Sequence, residues 1–267
     1  MSQGCNDERL PTVYCQATPS EVVVGRLYRG IAGAFALVVL IASGPVAWAA
    51  SPRAVVELYT SQGCSSCPPA DAFAGRLRSD PAVLVLSFHV DYWDAQGWKD
   101  SFSSPVSTAR QYAYARVSHE ASVFTPQMIV NGTQSLVGSS EAPVLRAIAA
   151  LKARDLPVHA ELAEEPQGTL KLTLAGPERL GDVWEVRYVR SAITRIGAGE
   201  NGGRTLETYN NVTRLEHLGA FKPGTRVLAG LRAPEDGIAI LVQAQGLGPI
   251  LGAVSYEEPA RRAASAR

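Results

Sequence analysis

The chain has 267 residues, 46% of them hydrophobic and 19% charged, so it can bury a sizeable core and is not compositionally disordered. Twenty-five basic and 25 acidic side chains cancel to a formal net charge of zero. That balance leaves no electrostatic footprint for nucleic acid, and it points to proteins or small molecules as partners.

Near the N-terminus, Arg26 and Arg29 precede an apolar run over 31–41, and Ala47-Trp48-Ala49 offers small residues at both cleavage-site positions. Residues 1–50 are therefore expected to be an N-terminal extension and export signal, cut near Ala49 or Ala50, with the mature chain periplasmic or secreted. Extended through Trp48, the stretch approaches the ~20 residues that span a bilayer. An uncleaved anchor is the alternative, and only then would the protein meet a membrane. Cys5 and Cys15 lie in the extension and receive no role.

Residues 54–59 are apolar except for Glu57 and predict a buried strand ending before Ser61-Gln62-Gly63-Cys64. A helix is predicted over 70–77 and an interior strand over 82–90, so strand, helix and strand form a βαβ unit. Inside an insertion over 91–122, Ser104-Pro105 supplies the cap and first-turn proline of a helix through Val117. Strands over 127–130 and 134–137 flank Asn131-Gly132, a strong hairpin signal. A helix over 142–154 closes a first, α/β domain over 53–155. Beyond Leu156 the pattern alternates, with strands predicted over 158–162, 170–174, 184–189, 227–231, 238–242 and 250–256. These predict a small antiparallel β-sandwich domain over 156–258, followed by a disordered tail over 259–267.

Without the signal, Cys64 and Cys67 are the only cysteines left, and Cys64-Ser65-Ser66-Cys67 is spaced for the two to pair. At the start of a helix, the helix dipole and free backbone N–H groups stabilise the thiolate of the first cysteine. Cys64 is expected to attack and Cys67 to resolve. The alternative, a static bridge, would constrain little of the unfolded chain across so short a loop. No second Cys pair completes a zinc tetrahedron. His89 ends the second strand at the rim where the active helix begins; it is either a packed histidine or, with Cys64 and Cys67, a ligand of a Cu(I) site. Tyr92, Trp93, Trp98 and Phe102 form either a lid over the CxxC or a small core of the insertion. The GxGxxG match over 197–202 lacks a βαβ context and carries Glu200, so it reads as a hairpin loop and not as a dinucleotide site.

The stretch over 55–71 around the CxxC, Phe88-His89-Val90-Asp91-Tyr92-Trp93-Asp94, and Thr125-Pro126-Gln127 resemble the thioredoxin-like superfamily. Within it they look most like an exported bacterial family catalogued only as a domain of unknown function. The resemblance implies a thioredoxin-like fold for the first domain and a cis Thr125–Pro126 bond facing the CxxC, with Thr125 and Pro126 holding a client chain. It also implies that Glu57 relays protons to the resolving thiol, the alternative being a strand-end carboxylate satisfied by backbone or solvent. No Trp directly precedes Cys64, the intervening pair is Ser-Ser, and Pro68-Pro69 follows Cys67; these depart from ordinary thioredoxins. The function expected is an exported thiol-disulfide oxidoreductase acting on client protein thiols or disulfides, with an unidentified redox partner and no cofactor. A Cu(I) carrier and a non-catalytic binding module are the alternatives.

Overall fold

The eight-residue strand β11 (Ile250–Glu257) and the CxxC strand β1 (Ala54–Thr60) belong to the same sheet, which decides the architecture. The computed structural model describes residues 50–166, 168–178, 180–230 and 235–257; the predicted signal, its cysteines and the predicted tail beyond Glu257 lie outside them. Between β1 and β11 run α1 (Pro68–Leu77), β2 (Val83–His89), α2 (Pro105–Val117), β3 (Gln127–Val130), β4 (Gln134–Val137) and α3 (Glu141–Lys152). They are followed by β5 (His159–Glu164), β6 (Leu170–Ala175), β7 (Gly181–Arg195), β8 (Thr205–Ala220), β9 (Gly224–Leu228) and β10 (Gly237–Ala244).

The large sheet has eight strands in the order β11-β10-β7-β8-β2-β1-β3-β4, and a second sheet has the order β5-β6-β9. This corrects the expected fold class. Among the described residues the molecule is mostly β, with 43% in strands and three α-helices, and it is not a thioredoxin-like α/β domain followed by a small antiparallel sandwich. The edge of β2 is taken by β8, which runs parallel to it with Ser87 opposite Asn211. β7 and β8, at 15 and 16 residues, carry the sheet from one half of the sequence into the other. The described residues all fall in one compact unit. β5-β6-β9 covers the far end of the large sheet, where Leu162, Leu172 and Leu228 share a core with Val183, Ile240 and Val254.

Local signals account for the elements around the CxxC. Ser104 caps α2 by accepting a hydrogen bond from the Ser107 backbone N–H, with Pro105 in the first turn. Asn131 and Gly132 both have positive φ, 47° and 72°, in the β3–β4 turn, a conformation these residues tolerate. The Asn131 side chain also accepts from the Val55 N–H at 2.6 Å, tying the hairpin to β1.

Alternation along β1 assigns its two faces. Ala54, Val56 and Leu58 pack with Phe73 and Ala74 of α1 and Val144 of α3. Val55 and Tyr59 pack with Tyr114 of α2 and with Val186 and Leu241 from the later strands. Each fully buried Leu or Phe contributes about 1.5–3 kcal/mol through burial. Both faces of β1 are consequently closed, and its C-terminal end presents the CxxC loop.

Candidate functional site

Cys64 and Cys67 are joined by a disulfide with 5.4 Å between their Cα atoms. Cys67 is the N-cap of α1, and Pro68 and Pro69 occupy the first turn, where missing N–H groups cost no intrahelical bond. The loop folds on itself through Cys64 N–H to Ser61 O and Cys67 N–H to Cys64 O, at 3.1 and 3.2 Å. The Ser66 hydroxyl lies 3.3 Å from the Cys64 sulfur and 3.4 Å from the Thr125 carbonyl. Both cysteines have 0% exposure, while Ser65 and Ser66 between them are exposed.

The Thr125–Pro126 peptide bond is cis. Pro126 packs close to α1: a Cβ placed on Gly138 would meet Pro126 Cβ at 3.2 Å and Ala70 Cβ at 3.3 Å, so a side chain there would have to displace one of them. Thr125 accepts a hydrogen bond from the Trp93 indole N–H at 2.9 Å, and Trp93 Cβ lies under Gly63. The Trp98 indole donates to the Gln62 side chain at 3.0 Å. The rings of the insertion therefore border the CxxC loop; Tyr92 bonds Gln111, and Phe102 lies 5.5 Å from the His89 ring.

Beneath the disulfide, on the α1 face of the sheet, lies a buried polar cluster. Thr60 of β1 stands beside His89 of β2 in the parallel register. The Thr60 hydroxyl donates to Asp71 at 2.8 Å. Asp71 follows Cys67 by one helical turn and its N–H bonds the Cys67 carbonyl, so the two side chains share the helix face that is buried. His89 Nδ1 lies 2.7 Å from Asp100 Oδ2 and Nε2 lies 2.9 Å from Asn211 Oδ1. Burial lifts the Asp71 pKa to about 6, with Asp100 pushing the same way and His89 and Thr60 pulling it back. Burial opposes charge on His89, but the charge and hydrogen bond of Asp100, then Asp71, outweigh it and raise its pKa. Asp100 is also desolvated, yet His89 and the N–H groups of Gln62 and Phe102 hold its pKa below the ordinary value.

Glu57 lies on the other face. Arg110 donates to it through Nε at 2.6 Å and Nη2 at 3.0 Å, Tyr114 through its hydroxyl at 2.7 Å and Tyr59 at 3.1 Å. Arg110 in turn reaches Gln243 of β10. The structure thus brings Cys64, Cys67, Thr125 and Pro126 together and places Glu57 among four donors on the α2 side. Both ring nitrogens of His89 are engaged, and among the described residues no group of three His, Cys, Asp or Glu side chains is arranged to hold a metal ion.

Sequence reasoning missed Asp71, Asp100 and Asn201. Asp71 carried a signal, a carboxylate one turn after Cys67 on an otherwise apolar helix face. Asp100 and Asn201 meet the loop only through the tertiary structure. Asn201, at 0% exposure, donates from Nδ2 to the carbonyls of Gln62 and Cys64, at 3.0 and 2.8 Å.

A buried disulfide at a helix start, bordered by a cis proline and an acid-imidazole cluster, defines a class of site. The family model described as protein of unknown function (DUF1223) matches residues 55–243, and the chain belongs to that family. It is similar to the crystal structure of protein AGR_C_4864 from Agrobacterium tumefaciens, with 28% identity, a TM-score of 0.70, and coverage of 79% of this chain and 96% of that one. HBP35 of Porphyromonas gingivalis shares the fold at 13% identity and a TM-score of 0.51, over 82% of this chain and 79% of that one. No curated protein matches the chain.

Proposed function

We propose that the protein is an exported thiol-disulfide oxidoreductase that exchanges disulfides with client proteins through Cys64 and Cys67. The observation that carries this reading is the position of the Cys64–Cys67 disulfide, one helical turn from a buried carboxyl whose pKa is about 6. A bridge across so short a loop is a poor staple, whereas a proton carrier poised near neutrality suits a thiol that must gain and lose its proton.

In the oxidising direction a client thiolate attacks Cys64 Sγ, the Cys64–Cys67 bond breaks, and Cys67 leaves as a thiolate. Protonated Asp71 gives its proton to that thiolate and becomes a carboxylate. A second client thiolate then attacks the client sulfur of the mixed disulfide, Cys64 leaves, and both cysteines end reduced while the client ends oxidised. In reverse, Asp71 takes the Cys67 proton so that its thiolate can resolve a mixed disulfide on Cys64. The Ser66 hydroxyl is placed to donate to the Cys64 sulfur as it becomes anionic. The exposed Ser65-Ser66 edge and the Thr125 backbone offer a client chain a place to lie.

Export belongs to the same proposal: a disulfide persists in an oxidising compartment, and the sequence over 26–49 has the charge and apolar pattern of a signal. The test is mixed-disulfide trapping with a cysteine-containing peptide. Cys67→Ser should accumulate the adduct on Cys64, and Cys64→Ser should not. Absence of any adduct with Cys67→Ser, together with no exchange by the wild type, would reject an oxidoreductase.

A further inference from the structure

Neither sulfur is reachable from solvent as the loop stands, since Cys64 and Cys67 both have 0% exposure. The cover includes a segment some 135 residues away in sequence, the tip of the β7–β8 hairpin over 196–204. Asn201 at that tip is itself fully buried and holds two successive turns of the CxxC loop by donating to the Gln62 and Cys64 carbonyls. The exposed Glu200 beside it accepts from the Ser65 N–H at 3.0 Å. Its carboxyl pKa is lowered by these hydrogen bonds to Ser65.

The tip is closed on itself and fits closely against the residues around it. It is closed internally by Ile196 N–H to Arg204 O and Gly203 N–H to Ile196 O, both 2.8 Å, and by Arg204 Nη1 to Asn201 Oδ1 at 2.6 Å. Gly197 lies against the Trp98 ring so tightly that a Cβ there would come within 2.9 Å of it. Trp98 in turn bonds Gln62, whose side-chain amide reaches Thr194 at the base of the tip at 3.3 Å. Apart from that packing, the tip is joined to the loop over 62–65 by the two Asn201 hydrogen bonds and by those between Glu200 and Ser65.

We propose that the 196–204 tip is a gate that determines which thiols reach Cys64, with Asn201 as its latch and Glu200 as an exposed second catch. This rests on the oxidoreductase reading above and adds its specificity element. A client must capture the loop while the tip is raised, and the Gln62 and Cys64 carbonyls and the Ser65 N–H freed by opening are backbone groups that an extended client segment can pair with. Closed, the tip satisfies those same groups and withholds the disulfide from small thiols.

The experiment measures the rate of Cys64–Cys67 reduction by dithiothreitol, a small dithiol, over a range of concentrations, beside exchange with a cysteine-containing decapeptide. For the wild type the rate should level off at high dithiothreitol, the plateau being the opening rate. Asn201→Ala should lift that plateau at least tenfold, and Glu200→Ala, a surface change that leaves the fold intact, by about two- to fivefold. Both variants should lose part of the wild type's preference for the peptide over the small reductant. Wild-type rates that stay linear in dithiothreitol and equal those of Glu200→Ala and a folded Asn201→Ala overturn the gate, whether or not the peptide reacts. Raised plateaus in the variants without peptide exchange in any of the three proteins would instead overturn the oxidoreductase reading, and the selective role with it.

Discussion

Two buried carboxylates flank the same strand and meet different partners. Glu57, on the α2 face of β1, receives hydrogen bonds from Arg110, Tyr114 and Tyr59, and Arg110 is further bound by Gln243 and lies over the Phe88, Tyr114 and Trp184 rings. Asp71, on the α1 face, receives one from Thr60 and shares the His89 charge with Asp100. A carboxylate met by a guanidinium in fork geometry is fixed in place and does structural work. One whose nearby cation is already hydrogen-bonded to another carboxylate keeps much of its desolvation penalty, and its proton becomes exchangeable near neutral pH. The difference teaches that the charge partners of a buried acid, and not burial alone, decide what it can do.

The contrast is broken most sharply at Arg110. Arg110→Leu leaves Glu57 buried without its cation and should cost about 3–5 kcal/mol in denaturant unfolding. Replacing Glu57 with Leu in the same protein should recover a large part of that loss. A cost below about 1 kcal/mol would remove the structural role assigned to Glu57.

At Asp71 the sign reverses. Its folded pKa of about 6 lies above the ordinary 3.8, so the folded protein binds the extra proton and stability falls as pH rises through that window. Asp71→Asn can still accept from Thr60 and removes the buried charge. It should be more stable than wild type by about 2–3 kcal/mol above pH 6, with the gain vanishing below pH 4. Exchange at pH 7 should drop by about tenfold to a hundredfold, and the wild-type dependence on a group near pH 6 should disappear from the rate profile. Equal rates and profiles would separate Asp71 from the chemistry. Thr60→Val sharpens the comparison with the smallest effect: loss of one hydrogen bond should cost about 1 kcal/mol and move the Asp71 titration upward, as followed by carboxyl NMR signals.

Much of the site was legible before any coordinates. The CxxC at a strand-helix junction, the Ser104 cap and the Asn131-Gly132 turn are carried by adjacent residues whose own chemistry selects the conformation, whereas the cis bond at Pro126 was expected only from the family resemblance, because an X–Pro bond permits cis without selecting it. Glu57 was noticed for being a charge in an apolar strand, but its role depends on strand parity and on Arg110, 53 residues further on. β8 escaped notice because Thr205–Ala220 mixes polar and apolar residues along a strand that passes between unlike neighbours.

The sequence by itself therefore determined the local pieces: which segments are strands or helices around Cys64, where they turn, and that two thiols stand at a helix start. Only the tertiary structure decided that β8 closes the edge of β2, that the two halves share one sheet, and that Asn201 covers Cys64. The physical reason is that periodicity records which face of an element is buried, whereas the identity of the neighbour depends on long-range pairing that leaves no mark in a single stretch of residues.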